Sequence, residues 1–432
     1  MVGVSGFMAN PIFGCDDIRA HFDDTVICRA MTDVEVALVQ AQADHGLVPV
    51  ASAVAIASSL KTVQVDPADL QAGVASAGVP VPALVKSLRA QLKAEDADWL
   101  HFGATSQDIV DTAYCLCFKA SLSHIESDLA RLLDLLEKLS SRHADTLMLA
   151  RTRGQLATPI TLGLRFGQWA QPLIALEAEA DTVRAAALRV QLGGASGSQN
   201  AFGGKGADIS RSLAARLGLE DSAPWHTDRS SLRRLANWLS RIVSATAKIG
   251  RDFAIASRGE IGELRPSQGG TSSTMPHKSN PVLAEALQSL VPMATACEAS
   301  LTASSVHAEE RDGAYWPVEW VMMPMLFETT GAALAHALNL LDQMVVNADA
   351  MKSRIDALPD VNAEAIVFAL SQALGRVEAS RVVTEALRTG RGTAEVIGRF
   401  PELDLTEACS DASFSTAAAE TAARIFANRG RA

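Results

Sequence analysis

The stretch from Leu122 to Leu139, LSHIESDLARLLDLLEKL, carries the strongest structural signal in the sequence. Its apolar positions alternate in steps of three and four residues: Leu122, Ile125, Leu129, Leu132, Leu136 and Leu139. Such a repeat averages 3.5 residues and forms the buried seam of left-handed helical bundles. The stretch therefore predicts a long helix that packs against other helices.

The same spacing recurs in four later segments that begin near Trp169, Leu232, Leu283 and Leu334. Together these patterns predict an all-α fold with five long helices, at about 107–142, 159–191, 229–262, 281–304 and 316–346. The regions on either side resemble shorter helices and loops. We therefore expect three helical domains, namely an N-terminal domain at 1–106, a central long-helix bundle at 107–346, and a small C-terminal domain at 347–432.

The composition narrows the class of protein. The 432 residues include 48% hydrophobic residues and carry a formal net charge of −11. This composition excludes general disorder and argues against nucleic acid or an anionic membrane as the main partner. We find no signal peptide and no uninterrupted run of 18 apolar residues, so we expect a cytoplasmic protein with no membrane span.

Cysteine, histidine and aromatic residues bear on cofactors. The six cysteines form no CxxC pair and the nine histidines form no HExxH motif. We therefore expect buried free thiols and no bound metal. Aromatic residues make up only 5% of the chain, which disfavours a large stacked cofactor, so no cofactor is expected.

Three predicted helix starts carry capping residues. Thr105–Asp108 (TSQD) has the form of a capping box, and both Thr158-Pro159 and Asn280-Pro281 place a proline after a capping residue. Free N–H groups at such starts suit anions. If the long helices alternate in direction, residues 105–108 and 272–280 lie at opposite ends of the bundle. A site that uses both segments then requires an oligomer.

The segment from Gln268 to Asn280, QGGTSSTMPHKSN, is rich in groups that can do chemistry. Two glycines precede three hydroxyl side chains, and His277 and Lys278 follow just before a helix start. A serine there could exchange a proton on a carbon next to a carboxylate, with Lys278 and Asn280 holding the resulting negative charge. By composition alone the segment is equally compatible with a flexible linker.

Three motifs resemble the fumarase/aspartase superfamily. GGTSSTMPHKSNPVLAEA at 269–286 looks like its signature loop, HFGATSQD at 101–108 resembles its Thr-Ser motif for a substrate carboxylate, and RTRGQ at 151–155 stands where a third motif is expected. The resemblance implies a homotetramer with a twenty-helix core and active sites shared between subunits.

The resemblance also implies roles for individual residues. Ser272, Lys278 and Arg153 would be catalytic. The substrate-binding residues would be His101, Thr105, Ser106, Gln107, Thr152, Ser273, Asn280 and Arg311. We expect His101 to support the site rather than act as an acid. Arg311 could either bind a substrate carboxylate or form an ion pair between subunits.

One position separates branches of this superfamily. Lyases that expel an amine or water generally carry a histidine where this sequence has Arg153, and arginine cannot donate a proton near neutral pH. A carboxylate needs a positive neighbour instead, and in cycloisomerisation it adds across a double bond to close a lactone.

Four stretches, the first of which extends the Thr-Ser motif, resemble the 3-carboxy-cis,cis-muconate cycloisomerase branch: HFGATSQDIVDTA, QLGGASGS, PWHTDR and EERDGAYWPVEW. The activity implied is lactonisation in protocatechuate catabolism, without a cofactor, on a small polycarboxylate. The alternatives are a β-eliminating lyase that releases fumarate from a nitrosuccinate- or adenylosuccinate-like substrate, and an inactive helical scaffold.

Overall fold

The computed structural model describes residues 6–267, 270–271, 275 and 278–430. Helices dominate this part of the chain, as the sequence predicts. Seven helices precede the first long one: α1 (Asn10–Phe13), α2 (Asp16–Ala20), α3 (Asp24–Asp44), α4 (Val50–Leu60), α5 (Pro67–Ala77), α6 (Val81–Arg89) and α7 (Ala94–Ala97).

Long helices follow at the five predicted places. They are α8 (Ser106–Arg142), α9 (Leu162–Ala187), α11 (Ser230–Ala256), α12 (Val282–Ala303) and α13 (Trp316–Asp342), and the shorter α10 (Gly206–Leu217) lies between the second and third of them. At 1.5 Å per residue, α8 is about 55 Å long. All six apolar positions of its seam are buried. The alternating pattern therefore marked the side of α8 that packs inward.

The predicted start of α9 at Thr158-Pro159 is wrong. These two residues lie in a hairpin of β1 (Leu147–Thr152) and β2 (Gln155–Thr161), in which Leu149 is paired with Pro159. The helix begins at Leu162 instead, and the Thr161 hydroxyl accepts a hydrogen bond from the Leu164 N–H at 3.1 Å. Thr161 therefore caps the helix that Thr158 was expected to cap.

The other two predicted helix starts lie within one residue of the observed ones. Asp108 accepts a hydrogen bond from the Thr105 N–H at 3.0 Å, which is one half of a capping box at the start of α8. Helix α12 begins at Val282, one residue later than expected, because Asn280 belongs to the short strand β5 (Ser279–Asn280) that pairs with β4 (Gly270–Thr271). A difference of one residue is common at helix ends.

Short helices follow the long ones, again as predicted. They are α14 (Ala348–Asp356), α15 (Ala363–Leu374), α16 (Arg376–Arg388), α17 (Gly392–Arg399), α18 (Leu405–Ala408) and α19 (Asp411–Phe426). Strand β3 (Leu264–Pro266) pairs antiparallel with β6 (Met344–Val346), so both α11 and α13 end earlier than expected. An apolar cluster that includes Ile366, Leu370 and Val383 forms the core of α15–α17.

The chain divides into two compact units, each built from three segments. Unit 1 comprises 1–128, 179–244 and 289–335, and unit 2 comprises 129–178, 245–288 and 336–432. Each long helix contributes residues to both units. The division into domains at 1–106, 107–346 and 347–432 stays a prediction.

All six cysteines are free, and burial raises the pKa of the Cys115 thiol to about 12. Four of the thiols are buried, as expected, whereas those of Cys15 and Cys409 are only partly buried. Within the described part of the chain, no helix is both long enough and apolar enough to cross a membrane.

Candidate functional site

The start of α8 is held by one buried carboxylate. Asp108 is 1% exposed and accepts hydrogen bonds from the N–H groups of Thr105 (3.0 Å), Gly193 (2.8 Å) and Gly194 (2.9 Å) and from Nε2 of His226 (3.0 Å). Both carboxylate oxygens accept from a backbone N–H. Asp108 therefore fixes the predicted Thr-Ser motif against a glycine pair and a histidine that are distant in sequence.

His226 is oriented by that carboxylate. Its Nε2 donates to Asp108, whereas its Nδ1 is buried and has no hydrogen-bond partner among the described residues. A Cβ atom on Gly193 would lie 2.6 Å from Cε1 of His226, closer than real Cβ contacts. Glycine at this position therefore lets the ring pack directly against the backbone.

The predicted substrate residues at the start of α8 differ in their surroundings. Thr105 and Ser106 are partly exposed, whereas Gln107 is fully buried. The Gln107 amide nitrogen donates to Asp111 at 3.1 Å and to the His226 carbonyl at 2.9 Å. Both of its donor hydrogens are therefore engaged within the chain.

A buried ion network lies beside this motif. Arg229 is 2% exposed; its Nε donates to Glu319 at 2.9 Å and its Nη1 to Asp111 at 2.8 Å. The indole of Trp316 also donates to Asp111 at 2.8 Å, and the Arg229 guanidinium lies 4.6 Å from the centre of the Trp225 ring. Burial alone would lower the pKa of Arg229, but the two carboxylates outweigh it and raise that pKa.

His101 is held in the left-handed region at φ 62°, an uncommon conformation for a residue other than glycine. Its Nδ1 donates to the fully buried Glu35 carboxylate at 2.6 Å. Burial acts to lower the pKa of His101, but the hydrogen bond and charge of Glu35 outweigh it and raise that pKa. The supporting role expected of His101 stays a prediction.

Arg311 holds the loop that Asp108 also contacts. Its Nη2 donates to the carbonyls of Gly194 at 3.2 Å and Ala195 at 3.0 Å. No ion pair to Arg311 is found among the described residues, and binding of a substrate carboxylate by its remaining donors stays a prediction.

A second group of predicted residues lies on the β1–β2 hairpin. Arg151 makes two hydrogen bonds to the fully buried Glu263, at 2.8 and 2.6 Å. Arg153 and Gly154 form the two-residue turn with φ values of 53° and 81°, as a type I′ turn requires. Thr152 and Arg153 are exposed, and Arg153 has no hydrogen-bond or ion-pair partner among the described residues. The hairpin therefore presents a free guanidinium at its tip.

The signature loop is described only in part. Lys278 is exposed, and its N–H donates to the Met275 carbonyl at 3.0 Å. Asn280 is half-buried in β5. Ser272, Ser273 and His277 lie outside the described residues, so the roles predicted for the two serines stay predictions.

The predicted residues divide between the two units. His101, Thr105, Ser106, Gln107 and Arg311 belong to unit 1, whereas Thr152, Arg153, Lys278 and Asn280 belong to unit 2. Neither the anchoring contacts of Asp108 nor the partners of Arg229 were predictable from the sequence. The PWHTDR motif was the available signal for Arg229, but its acidic partners are 118 and 90 residues away.

A bound metal ion would require several side chains that can act together as its ligands. Across the described residues, no group of three or more histidine, cysteine, aspartate or glutamate side chains could hold a metal ion.

Comparison with known proteins identifies the family. A lyase family model matches residues 15–293. A 3-carboxy-cis,cis-muconate cycloisomerase of Bradyrhizobium diazoefficiens is 34% identical over 89% of this chain and 87% of its own length. A nitrosuccinate lyase of Streptomyces davaonensis is 32% identical over 93% of this chain and 88% of its own.

A solved structure supports the same family assignment. The 3-carboxy-cis,cis-muconate lactonizing enzyme from Pseudomonas putida is 32% identical, and the match covers 98% of both chains with a TM-score of 0.87. The chain is thus a member of the lyase family of the fumarase/aspartase superfamily, to which these proteins also belong.

Proposed function

We propose that this protein is a cofactor-independent cycloisomerase that converts 3-carboxy-cis,cis-muconate to 4-carboxymuconolactone. The observation that carries the proposal is the 34% identity to a cycloisomerase over 89% of the chain. The free guanidinium of Arg153 agrees with it, because lactonisation needs a positive neighbour for a carboxylate rather than a general acid.

In the proposed reaction a substrate carboxylate oxygen adds to one carbon of a double bond. The other carbon lies next to a second carboxylate and gains a proton from Ser272. Arg153 orients the attacking carboxylate and balances its charge. Lys278 and Asn280 stabilise the enolate-like charge that develops before the proton is transferred. The attacking carboxylate becomes a neutral lactone ester while one carbon gains a proton, so the reaction takes up one proton. The solvent returns this proton to Ser272, and no other co-reactant is required.

The start of α8 is proposed to bind another carboxylate. Thr105 and Ser106 offer hydroxyl groups at the positive end of a 37-residue helix, although the Thr105 N–H is already engaged by Asp108. Gln107 enters this proposal as a positioning residue because its amide hydrogens already bind Asp111 and the His226 carbonyl. Asp108 fixes the backbone on which the two hydroxyl groups stand.

We also propose a homotetramer with shared active sites and a cytoplasmic location. The tetramer rests on the superfamily resemblance and on the expected opposite placement of residues 105–108 and 272–280. Analytical ultracentrifugation checks it: a tetramer is expected, and a strict monomer with full activity would contradict the shared site.

The activity is tested by mixing the purified protein with 3-carboxy-cis,cis-muconate and following the ultraviolet absorbance of the conjugated diene. Rapid loss of absorbance is expected. The Ser272→Ala variant should lose activity by a factor of about 10² to 10⁴, the usual contribution of a positioned acid or base. Ser279→Ala, in the same loop, is the matched control and should stay active.

The second candidate is a β-eliminating lyase that releases fumarate from nitrosuccinate. It is favoured by the 32% identity to a nitrosuccinate lyase, and nitrite is a leaving group that can depart without a general acid. Fumarate production from nitrosuccinate, with no loss of the muconate absorbance, would select this candidate. Loss of the diene without fumarate would exclude it.

A further inference from the structure

A pocket of about 390 Å³ lies between α6 and the segment just before α8. It is lined by Pro82, Val85, Lys86, Arg89 and His101, and we name it the α6 pocket. The four helical residues are spaced at i, i+3, i+4 and i+7, so they share one face of α6. The described lining carries three basic side chains and no carboxylate, on a chain whose net charge is −11.

The segment opposite α6 is fixed from several sides. Arg89 donates to the Leu100 carbonyl at 2.9 Å, Glu35 accepts from His101 at 2.6 Å, and Gln42 donates to the Phe102 carbonyl at 2.7 Å. Three consecutive residues are therefore anchored by three different side chains. The positive φ of His101 is maintained by these contacts, and such backbone strain is typical of ligand-binding segments.

The hydrogen bond to Glu35 decides which nitrogen of His101 can meet a ligand. Nδ1 is engaged, and no hydrogen bond to Nε2 is found within the described residues. The positive charge that Glu35 favours on the ring adds to those of Lys86 and Arg89. A pocket with three cationic groups and two apolar walls suits a carboxylate attached to a short hydrocarbon chain.

The α6 pocket is close to the proposed substrate site. His101 precedes Thr105 by four residues, and consecutive Cα atoms are about 3.8 Å apart, so the two residues lie within about 15 Å of each other. We propose that Lys86 and Arg89, together with Nε2 of His101, bind the substrate carboxylate assigned above to the start of α8 and determine specificity for it. This inference rests on the proposed function and adds Lys86 and Arg89 to its binding residues.

The test compares Lys86→Gln/Arg89→Gln with a control that loses the same two charges elsewhere, Lys61→Gln/Arg211→Gln. Lys61 and Arg211 are exposed and lie outside the pocket lining. Steady-state rates with 3-carboxy-cis,cis-muconate are measured for both variants. The pocket variant should raise KM at least tenfold and change kcat less than twofold, because a lost ground-state contact acts on binding. The control should match the parent protein.

Two results would overturn the proposal. One is an unchanged KM in the pocket variant. The other is an equal rise of KM in the control, which would indicate that the overall electrostatic field of the protein, and not a local site, attracts the substrate. Arg89→Lys adds a second check. It keeps the charge, so most of the affinity should be retained.

A direct binding measurement separates this proposal from the proposed function. Isothermal titration calorimetry with propane-1,2,3-tricarboxylate requires no turnover. Binding by the parent protein and the control, weakened at least tenfold in the pocket variant, supports the pocket even if the muconate is not converted. Equal binding by all three proteins, or no binding by the parent, contradicts the pocket even if the cycloisomerase assay succeeds.

Discussion

The start of α8 and the tip of the β1–β2 hairpin are built in opposite ways. At the start of α8, Asp108 is buried and five hydrogen bonds from within the chain converge on its carboxylate. At the hairpin tip, Arg153 is exposed and has no partner among the described residues. The negative charge of Asp108 is engaged in hydrogen bonds within the chain, whereas the positive charge of Arg153 is available to a ligand. Substitutions should therefore affect stability in the first region and catalysis in the second.

The largest effect on stability is expected for Arg229, whose buried network lies beside the start of α8. Arg229→Met keeps the bulk of the side chain but leaves Asp111 and Glu319 as uncompensated buried charges. Loss of one partner from a buried pair costs about 3–5 kcal/mol in the free energy of unfolding. Urea denaturation measures this cost.

Arg241→Met provides the matched control. Arg241 pairs with Glu179 at 2.6 Å, but the two side chains are 44% and 41% exposed. An exposed pair contributes about 0–1 kcal/mol, so little change is expected. Equal losses in both variants would refute the distinction between buried and exposed charges.

The hairpin tip should show the reverse behaviour. Arg153→Ala is expected to lower kcat/KM by about 10- to 10²-fold, because the attacking carboxylate loses a charge-assisted hydrogen bond worth about 1.5–3 kcal/mol. Its melting temperature should stay within about 1 °C of the parent, since no internal contact is lost. Normal kcat/KM in this variant would remove Arg153 from the mechanism. Arg151→Ala, which breaks the bidentate contact to Glu263, should instead lower the melting temperature.

A smaller loss is expected when Asp108 becomes asparagine. Both carboxylate oxygens accept from backbone N–H groups, so an amide in either orientation places its NH₂ against a donor. An unsatisfied buried group costs about 1–3 kcal/mol in unfolding free energy. Asp44→Asn, at an exposed pair with Arg216, should cost less than about 1 kcal/mol and serves as the control.

The smallest effect concerns pH. The pKa of His101 is raised in the folded protein, so its contribution to stability is present below the unfolded value of about 6.5 and is lost as pH rises through the folded pKa. The His101→Gln variant should therefore differ from the parent more at about pH 5.5 than at about pH 9 in unfolding free energy. A difference that grows with rising pH would contradict the Glu35 contact.

The sequence predicts the long helices well because one physical signal determines them. Alternating steps of three and four place Leu129, Leu132 and Leu136 on one buried side of α8, and local spacing is sufficient to reveal this. The hairpin at 147–161 was missed for the opposite reason. Its pairing depends on contacts between residues up to 14 positions apart, and Thr158-Pro159 also fits a helix start.

The sequence suggests which residues form the candidate site, but not how they are held in place. The motifs that resemble the superfamily imply roles for Thr105, Ser106, Arg153 and Lys278, and these roles stay predictions. The bonds that position them were not predictable, because Asp108 meets His226 and Arg151 meets Glu263 across more than 100 residues of sequence. Such pairs depend on how the helices pack, which no local pattern records.

The central claim is the lactonisation itself, and the most direct test is to run the reaction in D₂O and to identify the product by proton NMR. We expect 4-carboxymuconolactone with one deuterium on the carbon next to a carboxylate, formed by the parent protein and not by Ser272→Ala. Recovery of unchanged 3-carboxy-cis,cis-muconate from the folded parent protein would contradict it.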